Sequence, residues 1–557
     1  MRFNPRFVVA VLLGPAALAQ TAVQFTRDVA PLLARCQGCH GPQQQMSGLR
    51  LDIREQALQG GNSGALLDPG KSSNSRLVDY LTGRKSPLNP KGIKMPMGGQ
   101  PLTDAELGII RAWIDKGAEW PAPAGASAKT LSQNGKPLPW SFQPIRRPAV
   151  PTVRNQKWVL NPIDAFVLSR LEGGNVEPSA EAGRATLIRR VSLDLTGLLP
   201  APAEVKDFVA DTRPDAYDRL VDRLLASPHF GEKWGRAWLD QARYADSEGH
   251  ELDRDRPFGW RYRNWVIDSL NRDQPFDQFT VEQIAGDLLP NRTTEQWVAT
   301  GFHRNNLSDR EGGTEPALSQ FESLVDRTNA VANAWVGISL GCAQCHNHKF
   351  DPITQKEYYQ FMAFFNTLKE VDIDAPLPGE MGPYLRTEAE YRHNRQELLK
   401  QYKVPELQAA WEKDLLLANQ NPGKRGDWDI QWLRYQIYVD NGKEILQTPP
   451  EKRTRNEAEA VTDFFVKKSA EVYGQKRYTE LKLAEAARAV DLLKTKYPQL
   501  TQAPAMEQIT TPRKNHIHLG GEYDALGVEV QPGVPASLPP LPANVTPSRL
   551  ALAQWMV

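Results

Sequence analysis

The sequence has 557 residues, of which 40% are hydrophobic and 24% are charged. This length exceeds what one hydrophobic core normally supports, so we expect about two to four domains of ordinary globular composition. The 67 basic and 66 acidic residues leave a net charge of +1. That balance argues against nucleic acid, and against an anionic membrane surface, as a binding partner.

Residues 1–19 have the pattern of a secretory signal peptide. Arg2 and Arg6 precede an apolar run, and the small residues Ala17 and Ala19 predict cleavage after Ala19. We therefore expect an exported protein, located in the periplasm or at the cell surface. The apolar run is short for a bilayer span, so a membrane is expected as a partner only if this segment stays uncleaved.

The four cysteines of the chain all lie in two Cys-x-x-Cys-His pentads, which argues against a disulfide framework. The first pentad, with Cys36, Cys39 and His40, follows a short predicted helix whose expected N-cap is Asp28. Its thiols can form thioethers with haem vinyl groups, and its imidazole can then ligate the iron. A thioredoxin-like pair would need a strand before it and a helix after it, and zinc would need further ligands nearby.

A methionine loop supplies candidates for the second axial ligand of this haem. Met95 is the first choice and Met97 is the alternative. Methionine sulfur is a soft ligand that raises the haem potential, whereas a methionine that only fills the core is the competing interpretation. A capping box at Thr103 and Glu106 predicts a helix directly after the loop. We therefore predict a helical, class I-like cytochrome c domain over residues 20–120.

The remainder of the chain predicts a mainly α protein. A Pro-rich linker is expected over 121–157, a large mostly helical domain over 158–371, and a charged helical segment over 384–497. Short alternating runs with Gly and Pro predict a β-containing C-terminal portion over 511–557, which has the pattern of the start of a further, truncated domain.

Acidic and aromatic residues are concentrated in one part of the large domain. They are Trp234, Trp238, Trp260, Trp265, Asp246, Glu248, Glu251, Asp253 and Asp255. Paired carboxylates beside aromatic rings are typical of sites that bind or hydrolyse sugars. The competing interpretation is a tryptophan-rich core face followed by a charged loop with internal Arg–Asp pairs. Further along, Glu311 and Glu315 are candidates for steering a proton near a haem.

The second pentad, with Cys342, Cys345 and His346, predicts a second covalent haem whose proximal ligand is His346. His303 is the first candidate for its distal ligand, and a five-coordinate haem with an open face is an alternative. Weaker distal candidates are Met362 and His250.

Two other interpretations of this second cluster stay open. Cys342, Cys345, His346 and His348 are a plausible zinc set by residue type. The other interpretation is a reversible disulfide between Cys342 and Cys345.

Longer motifs carry a family resemblance. They include "RCQGCHGPQQQMSGLRLD", "MPMGGQPLTDAELGIIRAWIDKGAEWP", "WSFQPIRRPAVP", "RATLIRRVSLDLTGLLP" and "LGCAQCHNHKFDPITQKEYY". They resemble the planctomycete-type cytochrome c proteins, in which an N-terminal cytochrome c domain is fused to large domains of unknown function. The resemblance implies haem c and export, but no reaction. The family usually shows Met-Pro-Pro, and Met97 here departs from that pattern, so both sulfurs remain candidates.

These features together predict an exported c-type cytochrome that transfers electrons to or from an unidentified redox partner. We expect one or two haem c groups, in a protein that is a candidate part of an oxidoreductase. The alternatives are a polysaccharide-related hydrolytic or binding module with an accessory cytochrome, and a haem-bearing scaffold. No feature of the sequence predicts an oligomeric state.

Overall fold

The computed structural model describes residues 23–41, 44–120, 140–142, 145–249, 253, 255–307 and 315–557. The predicted signal peptide and most of the predicted linker lie outside these ranges. The chain divides into two compact units, residues 1–138 and 139–557. The fold is mainly α, as predicted, and the described strands are short. Every helix in the described ranges is too short or too polar to cross a membrane.

The first unit is helical and has its own core. Its helices are α1 (Ala30–Ala34), α2 (Arg54–Gln59), α3 (Arg76–Thr82) and α4 (Asp104–Asp115), and a π-helical turn, Phe25–Val29, leads into α1. The core includes Val29, Leu33, Leu51, Ala57, Leu77, Leu81, Ile110 and Ile114. Since each helix is short, its stability depends on this shared burial rather than on intrinsic helix propensity.

The two predicted helix starts in this unit have different outcomes. The capping box of α4 is confirmed: the Glu106 backbone N–H donates to Thr103 Oγ1, and the Thr103 N–H donates to Glu106 Oε2 at 2.7 Å. The prediction of Asp28 as N-cap is wrong, because the helical turn already begins at Phe25. The Asp28 carboxylate instead accepts from the backbone N–H of Gln24 at 2.8 Å, which satisfies a free donor of the first turn.

The second unit begins with ten helices in the described ranges. They are α5 (Pro162–Gly173), α6 (Arg184–Thr196), α7 (Pro202–Ala210), α8 (Ala216–Leu225), α9 (Pro228–Gln241), α10 (Trp260–Asn271), α11 (Phe276–Ala285), α12 (Thr294–Ala299), α13 (Pro316–Val331) and α14 (Gln355–Met362). Helices α6 to α8 enclose a small cluster of apolar side chains. Helices α10 to α14 contribute to the largest core of the protein, which contains Tyr262, Trp265, Phe302, Tyr358 and Phe365.

The charged segment predicted over 384–497 is helical and has a separate core. Its helices are α15 (Met381–Gln401), α16 (Val404–Gln420), α17 (Asp427–Tyr438), α18 (Gly442–Gln447), α19 (Arg455–Lys468), α20 (Ala470–Glu480) and α21 (Leu483–Lys494). Trp411, Tyr435 and Phe465 are fully buried at its centre. Aromatic and aliphatic side chains on the buried faces of these helices are what allow so charged a segment to fold.

The described strands of the second unit form two pairs, one between distant segments and one a local hairpin. Strand β1 (Leu368–Asp374) pairs antiparallel with β2 (Gln502–Gln508), and β3 (Asn515–His518) pairs with β4 (Leu526–Val530). The last helix, α22 (Arg549–Trp555), returns to the largest core through Leu552.

The structure differs here from the predicted segment boundaries. The boundary placed at 371 falls inside β1, and β2 lies before the β-containing portion predicted from 511. The boundaries were predicted from changes in composition, which occur where the chain enters the charged helices. Strands β1 and β2 lie on either side of these helices, and nothing in their local sequence indicates that they pair with each other.

Candidate haem-binding sites

The first pentad forms a tight turn directly after α1. The backbone N–H groups of Cys39 and His40 both donate to the carbonyl of Cys36, at 3.2 and 2.9 Å. This turn places two thiols and one imidazole within five consecutive residues. Both cysteines are free thiols; Cys36 is half-buried and Cys39 is exposed. The donor set therefore has the chemistry and the access that thioether attachment of haem requires.

The imidazole of His40 is held in one orientation. Its Nδ1 lies 3.0 Å from the carbonyl oxygen of Met46, so the proton is on Nδ1 and the Nε2 lone pair stays free. Burial lowers the pKa of His40, which favours the neutral form that binds a metal. The backbone on both sides is fixed as well, since Leu51 N–H donates to His40 O at 2.7 Å. A hydrogen bond of this kind orients a proximal ligand.

An ion pair connects this pentad to the start of α4. Arg35 donates to Glu106 Oε1 at 2.9 Å and to the carbonyl of Gln100, also at 2.9 Å. Because Glu106 belongs to the capping box of α4, the residue before Cys36 is tied to the loop that carries the candidate methionines.

The structure distinguishes the two methionines. The backbone N–H of Met95 donates to the carbonyl of Tyr80 at 2.7 Å, so this residue is anchored to α3, and its side chain is half-buried. The buried side chain of Asn89 holds the same loop through bonds to Ile93 and Asp79. Met97 is 74% exposed. Anchoring and burial favour Met95 as the sulfur ligand, which remains a prediction.

The second pentad repeats the histidine arrangement of the first. It begins in a 3-10 turn, Leu340–Ala343, and Cys342, Cys345 and His346 are all exposed. The Nδ1 of His346 lies 2.7 Å from the carbonyl oxygen of Asn347, which again leaves Nε2 with a free lone pair. Both pentads thus combine two free thiols with an imidazole whose Nδ1 is occupied.

Helix α14 supports this second turn from one side. Gln355 donates from its backbone N–H to Asn347 Oδ1 at 2.9 Å, and from its side-chain amide to the carbonyl of Gln344 at 2.8 Å. Tyr359 OH donates to the same carbonyl at 3.0 Å. The backbone between the two cysteines and beyond the histidine is therefore fixed by side chains of an ordered helix.

Two family comparisons match the regions that contain these pentads. Residues 36–88 match Planctomycete cytochrome C, and residues 162–370 match a protein of unknown function, DUF1549. The chain therefore contains a region similar to planctomycete cytochrome C, followed by a region similar to DUF1549. The resemblance predicted from the motifs is confirmed. No curated protein and no solved structure matches the chain significantly.

The cytochrome c domain implies a bound haem c. Cys36 and Cys39 would form the two thioethers, and the Nε2 of His40 would ligate the iron. When bound, haem c supplies one-electron redox chemistry. The second pentad lies inside the DUF1549 match, so a haem there would belong to the domain of unknown function.

Replacing Met95 with alanine is expected to lower the midpoint potential of the haem in the cytochrome c domain. The loss of a thioether ligand removes the stabilisation of ferrous iron, and axial ligands vary haem potentials over a range of roughly 0.8 V. Potentiometric titration and the long-wavelength sulfur-to-iron charge-transfer band measure the change. Met97→Ala is the matched control and should leave both unchanged; the reverse pattern would assign the ligand to Met97.

The alternative zinc set in the DUF1549 domain is not assembled. The ring of His348 is buried, and its Nδ1 accepts from the backbone N–H groups of Phe350 and Asp351 at 3.2 and 2.7 Å. Among the described residues no group of three or more His, Cys, Asp or Glu side chains could hold a metal ion. His348 instead shapes the loop that follows the pentad.

The predicted distal ligands lie in the core or outside the described residues. His303 is 1% exposed, its Nε2 lies 3.3 Å from the carbonyl of Ile284, and its ring contacts Phe302 and Phe365. Burial, with the nearby Arg327 guanidinium, holds the pKa of His303 well below its usual value. Met362 is also buried in this core. His250 falls outside the described residues.

His518, which was not among the histidines predicted as ligands, lies beside the second pentad. Gln355 and Tyr359, which hold Gln344, also bond to the carbonyl of His518 on β3, at 3.1 and 3.3 Å. The run "HIHLGG" in the predicted strand region contained the relevant signal, namely two alternating histidines directly before paired glycines. Only the folded chain shows that β3 reaches the pentad.

The four tryptophans of the acidic and aromatic region differ in burial: Trp265 is buried, Trp238 and Trp260 are half-buried, and Trp234 is 47% exposed. Trp265 is buried in the largest core, and Trp238 donates from Nε1 to Gln283 Oε1 at 2.8 Å. Asp246 accepts from Tyr244 OH at 2.6 Å, and Asp253 accepts from the backbone N–H of Gly249. This supports the interpretation of a tryptophan-rich core face followed by a charged loop. Of the other acids considered, Glu251 and Glu311 lie outside the described residues.

Glu248 and Asp255 line a cleft of about 780 Å³ in the second unit. Ion pairs cross this cleft: Arg304 lies 3.1 Å from Asp440 and 3.4 Å from both Glu370 and Asp372. The aromatic side chains that line it are Tyr262, Trp297, Phe258 and Tyr438, which are different from the four tryptophans singled out in the sequence. The cleft therefore combines carboxylates with aromatic side chains, but not with the tryptophans that the sequence pattern indicated.

Proposed function

We propose that this protein is an exported electron-transfer cytochrome with two covalent haem c groups, one in the cytochrome c domain and one in the DUF1549 domain. The observation that carries the proposal is the shared geometry of the two pentads. In each, two free thiols accompany a histidine whose Nδ1 is bonded to a backbone carbonyl, at 3.0 Å for His40 and 2.7 Å for His346. That bond presents the second ring nitrogen for iron.

The exposure of the thiols supports electron transfer rather than a buried catalytic haem. Cys39, Cys342 and Cys345 are all exposed, so the haem edges attached to them would be accessible to a redox partner. We propose that this partner is a protein or small molecule that exchanges single electrons. The near-neutral overall charge of the chain favours an encounter that does not depend on strong long-range attraction.

Export is proposed from the N-terminal pattern together with the pentads. The basic and apolar segment with a cleavage site after Ala19 is a secretory signal in form. Thiols in an exported chain are normally oxidised to disulfides. Thioether formation would use all four thiols and leave none of them to form a disulfide.

The test is to produce the full chain in a host with cytochrome c maturation and to measure its intact mass and its redox titration. We expect a mass equal to residues 20–557 plus two haems, and full reversible reduction with no substrate present. A mass that includes one haem would overturn the second site. A mass without covalent haem, or a haem that reacts irreversibly with the titrant, would contradict the electron-transfer assignment.

A further inference from the structure

The C-terminal hairpin β3–β4 is folded against the second pentad. The side-chain amide of Gln355 donates both to the carbonyl of Gln344, inside the pentad, and to the carbonyl of His518. Tyr359 OH lies 3.0 and 3.3 Å from the same two oxygens. Two residues of α14 thus hold the backbone of His518 next to the backbone between Cys342 and Cys345.

A glycine turn after β3 approaches the attachment thiol itself. Gly521 has φ +82°, and a Cβ at this residue would lie 2.6 Å from Cys345 Sγ. No real side chain tolerates that distance, so only glycine lets the turn lie against the sulfur. The hairpin is also joined to the start of α13, because Tyr523 OH donates a hydrogen bond to Glu315, the residue directly before that helix. The hairpin is therefore shaped around Cys345.

The ring of His518 has the properties of an iron ligand. It lies between Phe321 and Tyr359, with ring centroids 4.3 and 5.4 Å away. Its Nδ1 lies 3.3 Å from the carbonyl of Glu522, so Nε2 keeps its lone pair, as in His40 and His346. Burial lowers the pKa of His518, which favours the neutral ring.

His303 differs from His518 because its Nε2 is occupied and its ring is fully buried. Its Nε2 is already bonded to the carbonyl of Ile284, and it is buried among apolar rings. Ligation by His303 would require breaking that bond and opening the largest core. His516, two residues before His518, has the same Nδ1 arrangement, with the carbonyl of Gly527 at 3.2 Å, but the strand register shifts between the two histidines. His516 is therefore the matched control.

We propose that His518 is the second axial ligand of the haem bound at Cys342 and Cys345. The inference rests on the proposed function, because it requires a haem at the second pentad. Two imidazole ligands give a lower haem potential than one imidazole and one thioether. The DUF1549 haem would then be the lower-potential centre of the protein, and the cytochrome c haem the higher-potential one.

The test compares His518→Ala, His516→Ala and His303→Ala in the full-length holoprotein. Haem is counted by pyridine haemochrome absorbance, and the ferric spin state is read by electron paramagnetic resonance and optical spectroscopy. We expect His518→Ala to retain two haems while half of the ferric haem changes from low spin to high spin. Added imidazole should restore the low-spin signal, and the other two variants should match the wild type.

The measurements distinguish an error in the second haem site from an error in the ligand assignment. One haem in the wild type would overturn the second site and this inference together. Two haems, with a low-spin signal that His518→Ala leaves intact, would overturn the ligand assignment alone, and a high-spin signal in His303→Ala would move the assignment to that residue. If the alanine variant fails to fold, His518→Met decides the question: it should keep low-spin iron with a raised potential, and an unchanged potential would refute the assignment.

Discussion

Replacing Cys342 and Cys345 with alanine is expected to halve the covalent haem content of the purified protein. Both thiols are exposed and free, and the turn between them is held by Gln355 and Tyr359 rather than by the sulfurs. The variant should therefore fold and lose only the haem of the DUF1549 domain. Pyridine haemochrome absorbance per mole of protein and intact mass both measure the loss.

The matched control is the same double replacement at Cys36 and Cys39. It should also remove one haem, and it should leave the lower-potential centre in the titration, whereas the first variant should leave the higher-potential centre. If the haem content of the Cys342→Ala/Cys345→Ala variant equals that of the wild type, the redox chemistry is confined to the cytochrome c domain.

Replacing Asp287 with alanine is expected to destabilise the second unit by about 3–5 kcal/mol, because the change would leave an unpaired buried charge. The side chains of Arg549 and Asp287 are 0% and 2% exposed and form a two-pronged ion pair, at 2.9 and 2.6 Å. Arg549 also donates to the carbonyl of Ile284 and to Gln508 Oε1, and Asp287 accepts from the Gln508 N–H. The pair therefore joins α11, β2 and α22.

Urea denaturation followed by circular dichroism measures this effect as a fall in the transition midpoint. Glu397→Ala is the control, because its pair with Lys400 is more than half exposed on both sides, so its loss should leave the transition midpoint nearly unchanged. The transition midpoint should partly recover in the double variant Asp287→Leu/Arg549→Met, because no charge is left unpaired there. Equal midpoints for Asp287→Ala and Glu397→Ala would show that the buried pair does not hold these elements together.

The order of potentials has a functional consequence. A cytochrome c haem with a Met95 ligand would accept electrons from a DUF1549 haem ligated by two histidines, since thioether ligation raises the potential. The two ligand-replacement experiments, at Met95 and at His518, measure both ends of that proposal independently.

Features whose causes lie within a few residues of each other could be predicted from the sequence. The pentads, the capping box of Thr103 and Glu106, and the mainly α class were all predictable, because attachment chemistry and helix starts depend on spacings of three to five residues. The start of the first helix was misplaced, since Asp28 can satisfy a free N–H from inside the turn as well as from its edge.

Features that join distant segments could be seen only in the folded chain. The sequence presented His303 as the first distal candidate, but folding places that ring in the core and holds the backbone of His518 next to the pentad. The same holds for the β1–β2 pairing and for the contact of Arg549 with Asp287. Such contacts depend on which surfaces are buried together when the whole chain packs. The sequence around each contacting residue does not indicate which distant residue it will contact.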